Sequence, residues 1–169
     1  MRYRKTLHEV AIDFDESKNL KPVVVWIHGK TGTGKSRFAQ EFGTDAWVSG
    51  DDLKWFDGYC DQEVAIFDDF RPGMCTYHYL LRLTDRYDMR VQVKGGFVKF
   101  KPKVLFITAY GPPALLFKNL EANDSLDQLK RRIDIQHSTE FANLEPGNES
   151  WDKLSEDINK LVSDWDINL

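Results

Sequence analysis

The octapeptide Gly29-Lys30-Thr31-Gly32-Thr33-Gly34-Lys35-Ser36 constrains this chain more than any other feature. It satisfies the pattern G-x-x-x-x-G-K-[ST] at every fixed position. Before it stands an apolar run at residues 23–27, which reads as a short buried strand. After it comes the helical segment Lys35–Phe42, ended by Gly43. Glycines lack the Cβ that would stop backbone N–H groups from curling around an anion, and the helix that starts near Lys35 presents its positive end to the same place. Lys35 can then reach the β- and γ-phosphates of a nucleotide, and the Ser36 hydroxyl can ligate Mg²⁺. All eight residues are candidate nucleotide-binding groups. The plainer alternative is a glycine-rich turn with no function, but the strand–loop–helix context is the one that phosphate binding needs.

Two further apolar runs, Val64–Phe67 and residues 104–107, read as buried strands, and residues 77–85 and 125–132 carry helical spacing. Residues 89–93 and 97–100 alternate around Gly95-Gly96, a hairpin signal. Trp151, Leu154, Ile158, Leu161, Val162 and Trp165 fall on one helical face behind Ser150 as a plausible N-cap. Buried strands alternating with helices imply an α/β fold of three layers, with a mainly parallel central sheet and a protruding β-hairpin. The expected organisation is a linker or oligomer contact over residues 1–20, a core over 21–137, and an acidic helical segment over 138–169.

The strand Val64–Phe67 ends in Asp68-Asp69. Strand C-termini of a parallel sheet face the ligand, so this acid pair is expected at the phosphate loop, with Asp68 on the metal and Asp69 on the attacking water. A solvated strand-to-turn pair is the bland alternative. Thr108, just after the 104–107 strand, is placed near the γ-phosphate as a group that could orient that water. Lys130-Arg131-Arg132 closes a helix, where cations are favourable in themselves; in the sharper reading Arg131 or Arg132 reaches a neighbouring subunit's phosphoryl group. These residues, with Lys35, are the candidate catalytic set.

Charge is distributed unevenly. The chain is net −4, which argues against a basic coat, yet residues 86–103 hold six basic residues against the single acid Asp88. From Glu140 onward eight acids face only Lys153 and Lys160. A polyanion should therefore meet the basic island, and Lys94 beside the Gly95-Gly96 turn, with Lys99 and Lys101, are the candidate DNA contacts. Cys60 and Cys75 have no metal-ligand spacing, and the four histidines form no ligand cluster. The longest apolar run is far too short to cross a membrane, and no signal segment opens the chain.

In this order the motifs resemble the superfamily 3 helicase domain of replication-initiator (Rep) proteins from circular single-stranded DNA viruses, the circovirus-like group above all. The resemblance runs from about Lys21 to Gln136. It rests on residues 29–36, on Lys54-Trp55-Phe56-Asp57-Gly58-Tyr59 leading into Asp68-Asp69-Phe70, and on Leu80-Leu81-Arg82-Leu83-Thr84-Asp85-Arg86-Tyr87. Val91-Gln92-Val93-Lys94-Gly95-Gly96 and Arg131-Arg132-Ile133 complete it. It implies an AAA+-like P-loop ATPase that uses ATP and Mg²⁺, assembles as a ring (usually a hexamer) and moves along single-stranded DNA in the host nucleus. In it Lys94 matches the pore-hairpin lysine, and Arg131 or Arg132 matches the arginine offered to a neighbour's ATP. Where the family commonly has a γ-phosphate-sensing asparagine, this chain has Tyr110. The family's N-terminal nuclease domain has no counterpart, so a domain excised from a longer protein is expected, without DNA nicking. Two other readings stay open: a P-loop small-molecule kinase, and a nucleotide-binding assembly module with little turnover.

Overall fold

The computed structural model describes residues 21–120 and 124–167, so the reading of residues 1–20 lies outside the described residues. Five parallel strands form one sheet in the order β2-β3-β6-β1-β7. They are β1 (Val23–His28), β2 (Ala46–Val48), β3 (Val64–Phe67), β6 (Val104–Ala109) and β7 (Ile135–Ser138). The hairpin strands β4 (Arg90–Val93) and β5 (Gly96–Lys99) pair antiparallel as a separate ribbon. The helices are α1 (Lys35–Phe42), α2 (Tyr77–Leu83), α3 (Pro113–Leu116), α4 (Leu126–Arg132) and α5 (Glu149–Ile167).

The two-residue period of a strand divides the core cleanly. Val23, Val25 and Ile27 of β1, with Val64, Ile66, Val104 and Phe106, face Phe38 of α1 and Leu154 and Ile158 of α5. Their alternates, Val24, Trp26, Ala65, Phe67, Leu105 and Ile107, face Leu80 and Leu83 of α2 and Leu129 of α4. Both faces of the sheet are thus covered, which is why its central strands are apolar throughout instead of alternating with polar residues. Phe38 is fully buried, and its ring meets Trp151 edge-on at 4.9 Å between centroids. Burying such an aromatic side chain is worth about 1.5–3 kcal/mol, and this contact locks the acidic C-terminal helix onto the phosphate-loop helix.

Most element boundaries match the sequence reading to within one or two residues, and some of the differences bear on the site. β6 runs two residues further, so Thr108 and Ala109 lie within the strand and are buried. The hairpin turn is Lys94-Gly95, because Val93 pairs with Gly96; Gly95, at φ 93°, takes the corner that an L side chain avoids. α5 starts one residue before Ser150, and Asn148 caps it by accepting the Trp151 amide at 2.9 Å. The edge strands β2 and β7 were not anticipated: one has three residues, and the other, Ile-Gln-His-Ser, is half polar because only one side of it is paired.

The hairpin is pinned at its base and open at its tip. Phe100 packs against Phe56 at 5.2 Å, Tyr59 at 5.2 Å and Phe67 at 5.9 Å, and the Phe56 amide donates to the Gln92 carbonyl. Among the described residues no helix is long and apolar enough to cross a membrane.

Candidate active site

The loop between β1 and α1 bounds a cavity of about 550 Å³, walled by residues 31–37 on one side and by Asp69 and Thr108 on the other. Sheet order explains this meeting: β3 and β1 flank β6, all three are parallel, and their C-terminal ends lie together. The Ser36 hydroxyl donates to Asp68 Oδ1 at 2.5 Å, and Thr108 Oγ1 donates to the same oxygen at 3.2 Å. Thr108 Oγ1 also accepts the Asp69 amide at 2.8 Å. At 1% exposure its hydroxyl is shut away from solvent and ties the two acids to β6. The Asp68 amide donates to Ser49 Oγ at 3.0 Å, a support just beyond β2 that no sequence pattern marked.

Lys35 Nζ donates to the carbonyls of Gly29 at 2.9 Å and Lys30 at 2.7 Å, so its ammonium sits inside the curve of the loop. Burial pulls the Lys35 ammonium below its ordinary pKa, while Asp69 and Asp68 oppose that shift. Gly34 ends the loop at φ 92°, and a Cβ there would lie 2.0 Å from the Leu144 carbonyl oxygen. Position 34 therefore requires glycine for both conformation and space.

That close approach belongs to a strap the sequence did not reveal. After β7 the chain passes alongside the loop: the Thr139 amide donates to the His28 carbonyl at 2.9 Å, and the Leu144 amide donates to the Thr33 carbonyl at 2.8 Å. The hydroxyls of Thr33 and Thr139 meet at 2.7 Å. Asn143, Leu144 and Glu145 thereby join the cavity wall. More than a hundred residues separate them from the loop, and nothing local in their sequence signals the contact. Burial lowers the pKa of both His28 and His137, and His137 and Lys35 lower His28 further against Glu140.

Among the described residues no three His, Cys, Asp or Glu side chains converge as a metal site. One hydroxyl and one carboxylate 2.5 Å apart are instead the partial set that suits a hard cation completing its shell with phosphate oxygens and water. The residues fit a magnesium–nucleotide complex on that observation, and the glycine cradle beside them fits its phosphates.

The outer candidates separate by geometry. Arg132 donates to Asp85 Oδ2 at 2.9 Å and to the Gln128 carbonyl at 2.7 Å, and is held half-buried within its own chain. Arg131 is exposed, with its Nε on the Asp127 carbonyl at 3.3 Å. Neither lines the cavity of its own chain. Lys94 is exposed at the hairpin tip, where its amide donates to Asp57 Oδ1 at 2.6 Å. Beside it a second cavity of about 440 Å³ is lined by Trp55, Asp57 and Phe97 among others. Lys99 lies 3.8 Å from Asp88 with little exposure, and Lys101 is half-buried with its amide on the Tyr59 hydroxyl at 3.2 Å.

Similarity to known proteins agrees with this geometry. The family model described as RNA helicase matches residues 25–110, from β1 to the end of β6, just over half of the chain. The replication-associated protein of goose circovirus is 39% identical over 117 residues, covering 69% of this chain and 38% of the relative. That of pigeon circovirus is 35% identical over 136 residues, covering 79% and 41%. That of human associated cyclovirus 1 is 38% identical over 122 residues, covering 69% and 42%. The chain thus spans about two fifths of the length of the curated relatives it matches. On the family match and these relatives, the chain belongs to the superfamily 3 helicase domain family of viral replication-associated proteins.

Proposed function

We propose that this chain is the ATP-hydrolysing motor of a viral replication initiator, working in the host nucleus as a ring of six copies that draws single-stranded DNA through its centre. The observation that carries the reading is the convergence of Ser36 and Asp68 at 2.5 Å beside the phosphate loop, with Asp69 in the same cavity wall. Lys35 leaves the Gly29 and Lys30 carbonyls for the β- and γ-phosphate oxygens. Ser36 and Asp68 would hold Mg²⁺, which would supply charge neutralisation for the phosphates. Asp69 orients the attacking water, and Thr108 keeps both carboxylates in place through the bonds it makes to their strand end. Of the two terminal arginines, the exposed Arg131 is the one offered to a neighbour's nucleotide, since Arg132 is occupied by Asp85.

Lys94 is carried on a ribbon whose base is fixed by aromatic packing, which would couple motion at the sheet to its tip. A lysine at a pore hairpin serves backbone phosphates and needs no sequence preference. The core of the motor spans residues 21–137, and the acidic segment 138–169 follows it in sequence.

Strand displacement tests this proposal. With ATP and Mg²⁺, the protein should release the labelled strand of a duplex that carries a single-stranded DNA tail, and the Lys35→Ala variant should not. Equal displacement without ATP, or displacement of tailed RNA duplex only, would contradict the DNA-motor reading.

A further inference from the structure

Arg71 stands next to the cavity without a role in the site described so far. Its Nη2 lies 3.4 Å from both carboxylate oxygens of Asp69, which lines the cavity, and its Cζ lies 5.4 Å from the ring centroid of Tyr110. The two supports come from neighbouring strand ends and are rigidly placed. The Phe70 amide donates to the Thr108 carbonyl at 2.7 Å, and the buried Phe70 ring meets Trp26 edge-on at 6.0 Å. Trp26 in turn donates its indole N–H to the Gly111 carbonyl at 3.0 Å, which fixes the turn after Tyr110.

Stability does not account for this arrangement. The side chains of Arg71 and Asp69 are 60% and 66% exposed, and ion pairs that open to solvent contribute little to folding. Charge balance at the cavity does account for it. A nucleoside triphosphate brings several negative charges to a wall that already presents the Asp69 carboxylate. Of the two cations that line that cavity, Lys35 serves the loop, and Arg37 is paired with Glu41 at 2.6 Å. A guanidinium fork donates to a carboxylate or to a phosphoryl group with equal geometric ease. The exposed Tyr110 face holds it at the rim in either case.

We propose that Arg71 contacts the terminal phosphoryl group in its own subunit: it moves from Asp69 to the γ-phosphate oxygens while resting on Tyr110, releasing the Asp69 carboxylate and distinguishing a triphosphate from a diphosphate. The proposal rests on the nucleotide reading above and deepens it by naming the group that reads the third phosphate.

Equilibrium binding of fluorescent ADP and of a non-hydrolysable β,γ-imido ATP analogue, each with Mg²⁺, tests it without relying on turnover. Arg71→Ala should weaken the triphosphate analogue about tenfold and leave ADP within about twofold, with ADP affinity serving as the control for folding. Arg71→Lys, which keeps the charge but loses the fork, should fall between, as should Tyr110→Ala. Equal losses for the two nucleotides, or no loss for either, would overturn the role of Arg71. Failure of the unsubstituted protein to bind either nucleotide would instead remove the phosphate-loop reading, and this inference with it.

Discussion

Asp68 and Asp69 are adjacent in sequence, yet the backbone turns them toward different partners. Asp69 adopts φ 48°, one of two non-glycine residues with positive φ among those described. Aspartate tolerates that region better than most residues, and the turn it creates is held by its amide bond to Thr108. Asp68 faces Ser36, whereas Asp69 faces the cavity and Arg71. This division makes the residues separable by experiment. Lys35→Ala should weaken nucleotide affinity by about tenfold or more, the value of a lost charge-assisted hydrogen bond. Asp69→Asn should keep nucleotide affinity within a few-fold and lower turnover by roughly 10²–10⁴, the usual worth of general-base assistance. Parental turnover in Asp69→Asn, measured as phosphate release, would reassign the water-positioning role. The acid pair was legible because an apolar strand ending in two carboxylates after a phosphate loop is a local pattern. Ser49 and Arg71 were not, since each matters only through a partner that the fold supplies.

Among the elements, the hairpin shows most clearly what local sequence can and cannot carry. Alternating residues around a double glycine announced a ribbon, and the register then moved the turn by one residue, putting Lys94 in the corner itself. The basic island that drew attention to it proves heterogeneous: Lys94 projects, Lys99 is drawn toward Asp88, and Lys101 is half-buried. Lys94→Ala should therefore reduce single-stranded DNA affinity and lower the slope of log affinity against log salt by about 0.7, the single-strand value for one phosphate contact. Nucleotide affinity should not change. Fluorescence anisotropy over a salt series measures both quantities, and an unchanged slope would take Lys94 out of the DNA contact. Edge strands escaped the sequence reading for the opposite reason. β2 and β7 pair on one side only, so neither needs the continuous apolar run that made β1, β3 and β6 obvious.

For the whole molecule, the three-layer architecture follows from strands whose alternate residues feed two separate cores. That much was readable from hydrophobic periodicity and the order of motifs. The strap from Thr139 to Glu145 was not, because it is a long-range contact made largely by backbone groups, which any sequence possesses. It joins the acidic C-terminal helix to the phosphate loop, so that loop geometry and helix docking are parts of one structure. The cavity wall carries Lys35, Ser36 and Asp69, with Asp68 accepting from the Ser36 hydroxyl, but the terminal arginines do not line it. We propose that a second copy of the chain completes this site by offering Arg131.

Steady-state ATP hydrolysis across a protein concentration series, with and without single-stranded DNA, tests it most directly. Catalysis at subunit interfaces predicts a rate per subunit that rises with concentration and rises again when DNA is added. A rate per subunit that is constant across the series and indifferent to DNA would contradict it, and would make the chain a self-contained P-loop enzyme.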